Sequence, residues 1–177
     1  MASSRKKVIL RTIANAILPG YLPVTGLVET RSGAPTVDLL DLEGRITPIP
    51  LETVRSIAYV RDFNLGDRDD PERLTRRTFL ARPRSEGLWL RLTLTGTGSS
   101  EKDILEGLAP LDLSLIDALL EDRGLFLIPP DIRSNTQRLF IPRHAFTDLQ
   151  IVAVITTPSK PKPSKSTPDD QPSLFKD

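Results

Sequence analysis

A chain of 177 residues with 38% hydrophobic, 5% aromatic and 27% charged side chains has the make-up of one ordinary globular domain or two very small ones. It holds no cysteine and a single histidine, His144, which excludes disulfide frameworks, thiolate metal sites and cysteine nucleophiles. A formal net charge of +1 supplies no general basic face for nucleic acid, so any such contact would rest on a local patch.

The chain opens with Arg5-Lys6-Lys7 and the apolar Val8-Ile9-Leu10, which imitates a secretory signal. Arg11 and Asn15 interrupt the run well short of the ~18 apolar residues a membrane helix needs, so no membrane span is expected and the chain reads as cytoplasmic. Leu10, Ile13 and Ile17 also fit a helical face, but Val8 to Leu18 has a clearer counterpart downstream that selects strands. Val8-Ile9-Leu10-Arg11 and Ile17-Leu18-Pro19-Gly20-Tyr21-Leu22-Pro23 match Leu88-Trp89-Leu90-Arg91 and Ile104-Leu105-Glu106-Gly107-Leu108-Ala109-Pro110. Ile49-Pro50-Leu51-Glu52-Thr53-Val54-Arg55-Ser56-Ile57 matches Ile141-Pro142-Arg143-His144-Ala145-Phe146-Thr147-Asp148-Leu149, and both continue into apolar runs. These matches point to a diverged duplication.

Within each half the apolar runs are short, β-branched and punctuated by Gly, Pro and Asn, which predicts hairpin-connected strands. Leu90, Leu92 and Leu94 alternate with Arg91 and Thr93, the period of two expected where one sheet face is buried. Between Asp112 and Gly124 the pattern changes: Leu115, Ile116, Leu119 and Leu120 fall at helical spacing, Asp112 or Ser114 can cap the start, and Gly124 suits the stop. The expected fold is mainly β: a small five-stranded barrel over 7–63, a charged linker over 64–86, a second such barrel over 87–157 containing one short helix, and a disordered tail over 158–177. That tail holds five prolines, four lysines and four serines, too little apolar surface to offset its ordering entropy.

A meander of about five short strands ending in Ile-x-x-x-x-(Val/Phe)-x-x-(Ile/Leu) resembles the Sm-like small-barrel family, over Lys7 to Phe63 and Gly87 to Thr157. Pro50 and Pro142 follow the isoleucines where that family carries an Ile-Arg-Gly element of its nucleotide pocket. Sm-like proteins form rings of single barrels, whereas a tandem chain can pair its barrels internally, one copy covering the other's edge. Gly124-Leu125-Phe126-Leu127-Ile128-Pro129-Pro130-Asp131 and Ser134-Asn135-x-x-Arg138 are similar to a bacterial family of no known activity.

Five guanidinium groups, Arg73, Arg76, Arg77, Arg82 and Arg84, stand within 12 residues just before the second half. Arginine forks grip phosphates bidentately, and Arg73-x-x-x-Arg77 resembles the arginine motif of the PilZ family, which implies a cyclic dinucleotide ligand. Asp112-x-Ser114-x-x-Asp117 is the nearest counterpart of that family's second element, with Asp117 in place of glycine and the whole stretch inside the expected helix. The bland alternative pairs these arginines with Asp67, Asp69, Asp70 and Glu72 or leaves them solvated. Arg91, Arg133, Asn135 and Arg138, with Gln137 and Arg143, extend the polar set and could meet an RNA or DNA backbone, against a reading of Pro129 to Asn135 as a turn. His144 has no second histidine for a metal site, the carboxylates form no evident catalytic pair, and Trp89 reads as core or subunit interface. No enzyme activity, cofactor or metal is expected.

Gln171-Pro172-Ser173-Leu174-Phe175 resembles the bacterial sliding-clamp-binding peptide. The resemblance implies that the Gln171 amide hydrogen-bonds at a pocket rim, Ser173 fills the small third position, and Leu174 and Phe175 enter an apolar pocket. Three readings follow: a non-enzymatic adaptor docked on a sliding clamp, a phosphate-ligand or nucleic-acid-binding barrel, and a homo-oligomer built by edge-strand pairing.

Overall fold

The computed structural model describes residues 5–95, 103–131, 133 and 135–156. The first half runs β1 (Arg5–Thr12), β2 (Ile17–Pro23), β3 (Val28–Arg31), β4 (Ala34–Leu40), β5 (Ile46–Pro50), a 3₁₀ turn (Leu51–Thr53) and β6 (Val54–Val60). The second runs β7 (Gly87–Leu94), β8 (Asp103–Ala109), α1 (Ser114–Leu120), β9 (Gly124–Leu127), β10 (Thr136–Pro142), a 3₁₀ turn (Arg143–Ala145) and β11 (Phe146–Ile155). The duplication read from the sequence reappears as architecture. In each half the first strand lies between the second and the last: β1 pairs β2 and β6, and β7 pairs β8 and β11. Each last strand follows a one-turn 3₁₀ segment that Pro50 or Pro142 introduces. Proline at that place fixes φ and withholds a donor, which ends one strand and lets the chain turn into the next.

The expectation of two separate five-stranded barrels needs correction. The first half has six strands, and β9 and β10 of the second half leave their own copy to extend the first half's sheet. The result is an eight-stranded half-barrel, ordered β3-β4-β2-β1-β6-β10-β9 with β5 on β4, and a three-stranded sheet, β11-β7-β8. The junction is the antiparallel pair β6–β10, in which Leu139 faces Ala58 and Phe140 faces Ile57. Between β8 and β9 only the bridge Leu108↔Ile128 remains. The physical reason is the exposed edge of β6: a paired edge satisfies backbone groups that an isolated barrel would leave open.

Two apolar layers explain the strand patterns. Ile9, Ala58, Val60, Leu125, Leu127, Leu139 and Ile141 meet Leu90, Leu92, Leu94 and Leu105 of the smaller sheet. Val8, Leu10, Ile57, Tyr59, Phe126 and Phe140, on the opposite face of the same strands, pack with Leu22, Val37 and Leu39. β1, β6, β9 and β10 are therefore buried on both faces and read as continuous apolar runs, whereas β7 is buried on one face and alternates.

The helix forms over Ser114–Leu120, within the predicted stretch, and Asp112 accepts from the Ser114 amide at its start. Its stop is not Gly124. Arg123 takes the left-handed conformation, φ +54°, and Gly124 is the first residue of β9. Gly124 is required for a different reason: a Cβ there would lie 2.5 Å from Cζ of Phe140 and 2.7 Å from the Ile141 carbonyl oxygen. No helix among the described residues is long and apolar enough to cross a membrane.

Candidate functional site

The segment between β6 and β7 contains no strand or helix among residues 61–86, yet it is fastened to both halves. Two buried carboxylates do most of this. Glu72, 8% exposed, takes the Arg11 guanidinium of β1 on both of its oxygens, Arg11 Nη2 reaching Oε2 at 3.0 Å. That bond outweighs the cost of burying Arg11 and holds its guanidinium above the usual range. The Glu72 carbonyl accepts from Oγ1 of the fully buried Thr136 at 2.7 Å. Glu106 of β8, 1% exposed, accepts from the Phe79 amide at 2.9 Å, Trp89 Nε1 at 3.2 Å and Arg91 Nε at 2.7 Å. Its own amide donates to the Arg77 carbonyl at 2.7 Å, and Phe79 packs edge-on against Trp89 at 5.4 Å.

Asn135 is a third fastener. Its Nδ2 donates to the carbonyls of Asp62 at 2.6 Å and Pro71 at 3.1 Å, and its Oδ1 accepts from the Asp62 amide at 2.9 Å. These three bonds commit the amide to the 61–86 segment. A fourth joins the first half's β2–β3 loop to the second half. Arg138 lies 3.8 Å over the Phe126 ring and donates to the Val24 carbonyl at 3.1 Å. Asp122 accepts from the Val28 amide at 3.2 Å, while within the first half Tyr59 of β6 donates to the Pro23 carbonyl. Burial pushes the Asp122 carboxyl and the Tyr59 phenol up and the Arg138 guanidinium down.

The arginines read together in the sequence separate in space. Arg77 turns to a cleft of about 330 Å³ between the two halves, floored by Leu94, Leu105, Leu139 and Ile141. There Arg77 and Arg55 share Asp103, each at 2.8 Å, while Arg11 is held by Glu72. With Asp69 and Asp70 also on its wall, the cleft matches its three guanidinium groups with carboxylates and offers no excess positive charge. Arg91 is spent on Glu106 and Arg138 on Phe126. Arg76, Arg82 and Arg84 are exposed and make no ion pair among the described residues.

Arg73 and Arg133 do come together. With Arg61, Thr75 and Asn64 they border a groove of about 440 Å³ whose walls also include Asp62, Asp131 and Asn135. Arg73 sits there in a left-handed conformation, φ +49°, and neither it nor Arg133 makes an ion pair among the described residues. Arg61 is the member of this set that the sequence reading did not single out, because it follows an apolar strand and has no charged neighbour but Asp62. Glu72 is a carboxylate expected to pair with the neighbouring arginines, yet it takes Arg11, and nothing in the sequence singles out Glu106. The alternation in Leu105-Glu106-Gly107 marks Glu106 as facing away from Leu105, but only the β7–β8 register, with Arg91 opposite Glu106, tells that it is paired.

His144 contacts the Val54 carbonyl at 2.8 Å, tying the second 3₁₀ turn to the start of β6. No cluster of three or more His, Cys, Asp or Glu suited to a metal ion occurs among the described residues. Gln171, Ser173, Leu174 and Phe175 lie outside the described residues. A family model described as a family of unknown function, DUF6982, matches residues 4–153. No curated protein and no solved structure matches the chain.

Proposed function

Starting from a chain that belongs to the family of unknown function DUF6982, we propose a non-enzymatic adaptor: two Sm-like halves fused through β6–β10, docking on a bacterial sliding clamp through Gln171 to Phe175. The observation that carries this reading is where the peptide pattern falls. The family match ends at residue 153, the last buried residue described is Ile155, and the two apolar layers of the described residues run from Val8 to Phe146. The peptide pattern starts 16 positions after Ile155. Leucine and phenylalanine side by side in a stretch otherwise made of proline, lysine, serine, aspartate, one threonine and one glutamine are the anchors expected of a short docking motif. The Sm-like part of the reading is supported by the shared order of both halves, a first strand flanked by the second and the last, with a 3₁₀ turn before the last.

Calorimetric titration of the full chain into a sliding clamp tests this, alongside a chain lacking residues 171–177 and a Leu174→Ala/Phe175→Ala variant. Binding that vanishes in both variants, with unchanged melting temperature, is the expected result. Equal binding by all three would end the proposal.

A second reading uses the groove bordered by Arg61, Arg73 and Arg133 for a phosphate ligand or nucleic-acid backbone. The unpaired state of Arg73 and Arg133 favours it, since neither has to abandon a carboxylate to meet a phosphate. An Arg73→Ala/Arg133→Ala variant should weaken binding of single-stranded RNA or cyclic di-GMP and flatten its salt dependence. Arg91→Ala, whose guanidinium is committed to Glu106, should leave the salt slope unchanged. An identical slope in the double variant would exclude the groove.

A further inference from the structure

The duplicated halves place two equivalent strands in different surroundings. β6 and β11 each follow a 3₁₀ turn, and each pairs with the first strand of its half. The outer edge of β6 is covered by β10, and Ile57, Ala58, Tyr59 and Val60 are at most 5% exposed. β11 has β7 as its one strand partner among the described residues, and no described residue pairs with its other edge. Leu149 is 39%, Ile151 62% and Val154 54% exposed.

The register shows which face these three share. Leu149 stands opposite Leu92, Ile151 opposite Leu90 and Val154 opposite Leu88. Cross-strand partners lie on one side of a sheet, so this is the side on which Leu90 and Leu92 are buried against the half-barrel. The apolar inner face thus runs past its cover to the sheet's edge. The ten residues from Phe146 to Ile155 contain no proline and one charge, Asp148, and the edge's only irregularities are the two register shifts against β7, between Phe146 and Asp148 and between Ile151 and Ala153.

We propose that β11 pairs antiparallel with β11 of a second copy of this chain, about a two-fold axis perpendicular to the sheet, to form a homodimer. Of the other exposed edge strands, β5 carries Pro48 and Pro50, which lack the amide hydrogens a new ladder needs, and β3 is four residues long and carries Glu29 and Arg31, so a head-to-tail contact of β11 with either is disfavoured. Self-pairing joins the two three-stranded sheets into one of six strands. A perpendicular axis keeps inner face with inner face, so Leu149, Ile151 and Val154 of both copies form one apolar strip. A register centred between Gln150 and Val152 keeps the two Asp148 carboxylates at least about 13 Å apart along the strands. The contact is isologous and consumes both free edges, so assembly stops at two. This inference is independent of the clamp reading.

Sedimentation equilibrium and light scattering of the full chain over a concentration series should give twice the 19.6 kDa chain mass at the upper end. Ile151→Glu should give the monomer mass throughout with an unchanged far-ultraviolet spectrum, because Ile151 is mostly exposed within one copy. Leu120→Glu, on the exposed apolar face of α1, should remain dimeric. The absence of native cysteine allows a second readout: oxidised Gln150→Cys should run as a disulfide-linked dimer, whereas Ile46→Cys on β5 should not. A monomer at every concentration, a mass above the dimer, loss of the dimer in Leu120→Glu with retention in Ile151→Glu, or a mixed disulfide between the Gln150→Cys and Ile46→Cys chains would each overturn the proposal.

Discussion

Replacing Glu106 with alanine tests how the connection between the halves is held. Its carboxylate, 1% exposed, receives the Phe79 amide, the Trp89 indole and the Arg91 guanidinium, and no other acceptor of these donors is present in the described structure. A hydrogen bond to a charged group contributes about 1.5–3 kcal/mol, and breaking a buried ion pair costs about 3–5 kcal/mol. The Arg91 side chain is 42% exposed and can rehydrate when its partner is lost, which selects the lower end, about 3 kcal/mol. For a domain of this size that corresponds to a fall in melting temperature of roughly 6–12 °C. Trp89 is the sole tryptophan and lies in the contact itself, so urea unfolding followed by its fluorescence and by circular dichroism reads both the local release and the global loss. Glu106→Gln, which keeps the shape and one acceptor oxygen, should lose about half as much. A double-mutant cycle with Arg91→Ala should return a coupling of about 1 kcal/mol or more. A loss below about 1 kcal/mol in Glu106→Ala with unchanged fluorescence would refute the reasoning, since a buried acceptor of three donors cannot be removed so cheaply.

Two further outcomes follow from the same contacts. Burial raises the Asp122 carboxyl above its ordinary value near 3.8, so the folded chain holds that proton more tightly than the unfolded one, and the stability this group contributes is greatest at low pH and lost as pH rises through its folded value. Wild type should therefore gain stability relative to Asp122→Asn on acidification from neutral pH through this window in urea titrations, and a relative loss would contradict the assignment. Gly124→Ala should destabilise by about 1–3 kcal/mol, because the new methyl group meets the Phe140 ring and the Ile141 carbonyl at once; a neutral result in thermal unfolding would show that β9 can shift away from β10.

Local physics made much of this protein legible in its sequence. Alternation over Leu90, Leu92 and Leu94 predicted a strand buried on one face, helical spacing over Leu115 to Leu120 predicted α1, and the paired stretches around Pro50 and Pro142 located equivalent strand–turn–strand corners in both halves. These features depend on neighbours a few positions apart, whose geometry is set by the backbone period and by proline. The strand exchange at β6–β10 was beyond such reasoning: the continuous apolar runs of β6 and β10 announce burial on both faces but do not say which edge meets which. Charge told least. Arg77 and Arg91 stand among or near candidate partners in the 64–86 segment, yet pair with Asp103 and Glu106, and Glu72 finds Arg11, 61 positions away. An ion pair forms with whichever opposite charge the packed strands bring within a few ångströms, and sequence separation does not enter Coulomb's law. Only the tertiary structure could therefore decide which arginines hold the protein together and which have no carboxylate partner among the described residues.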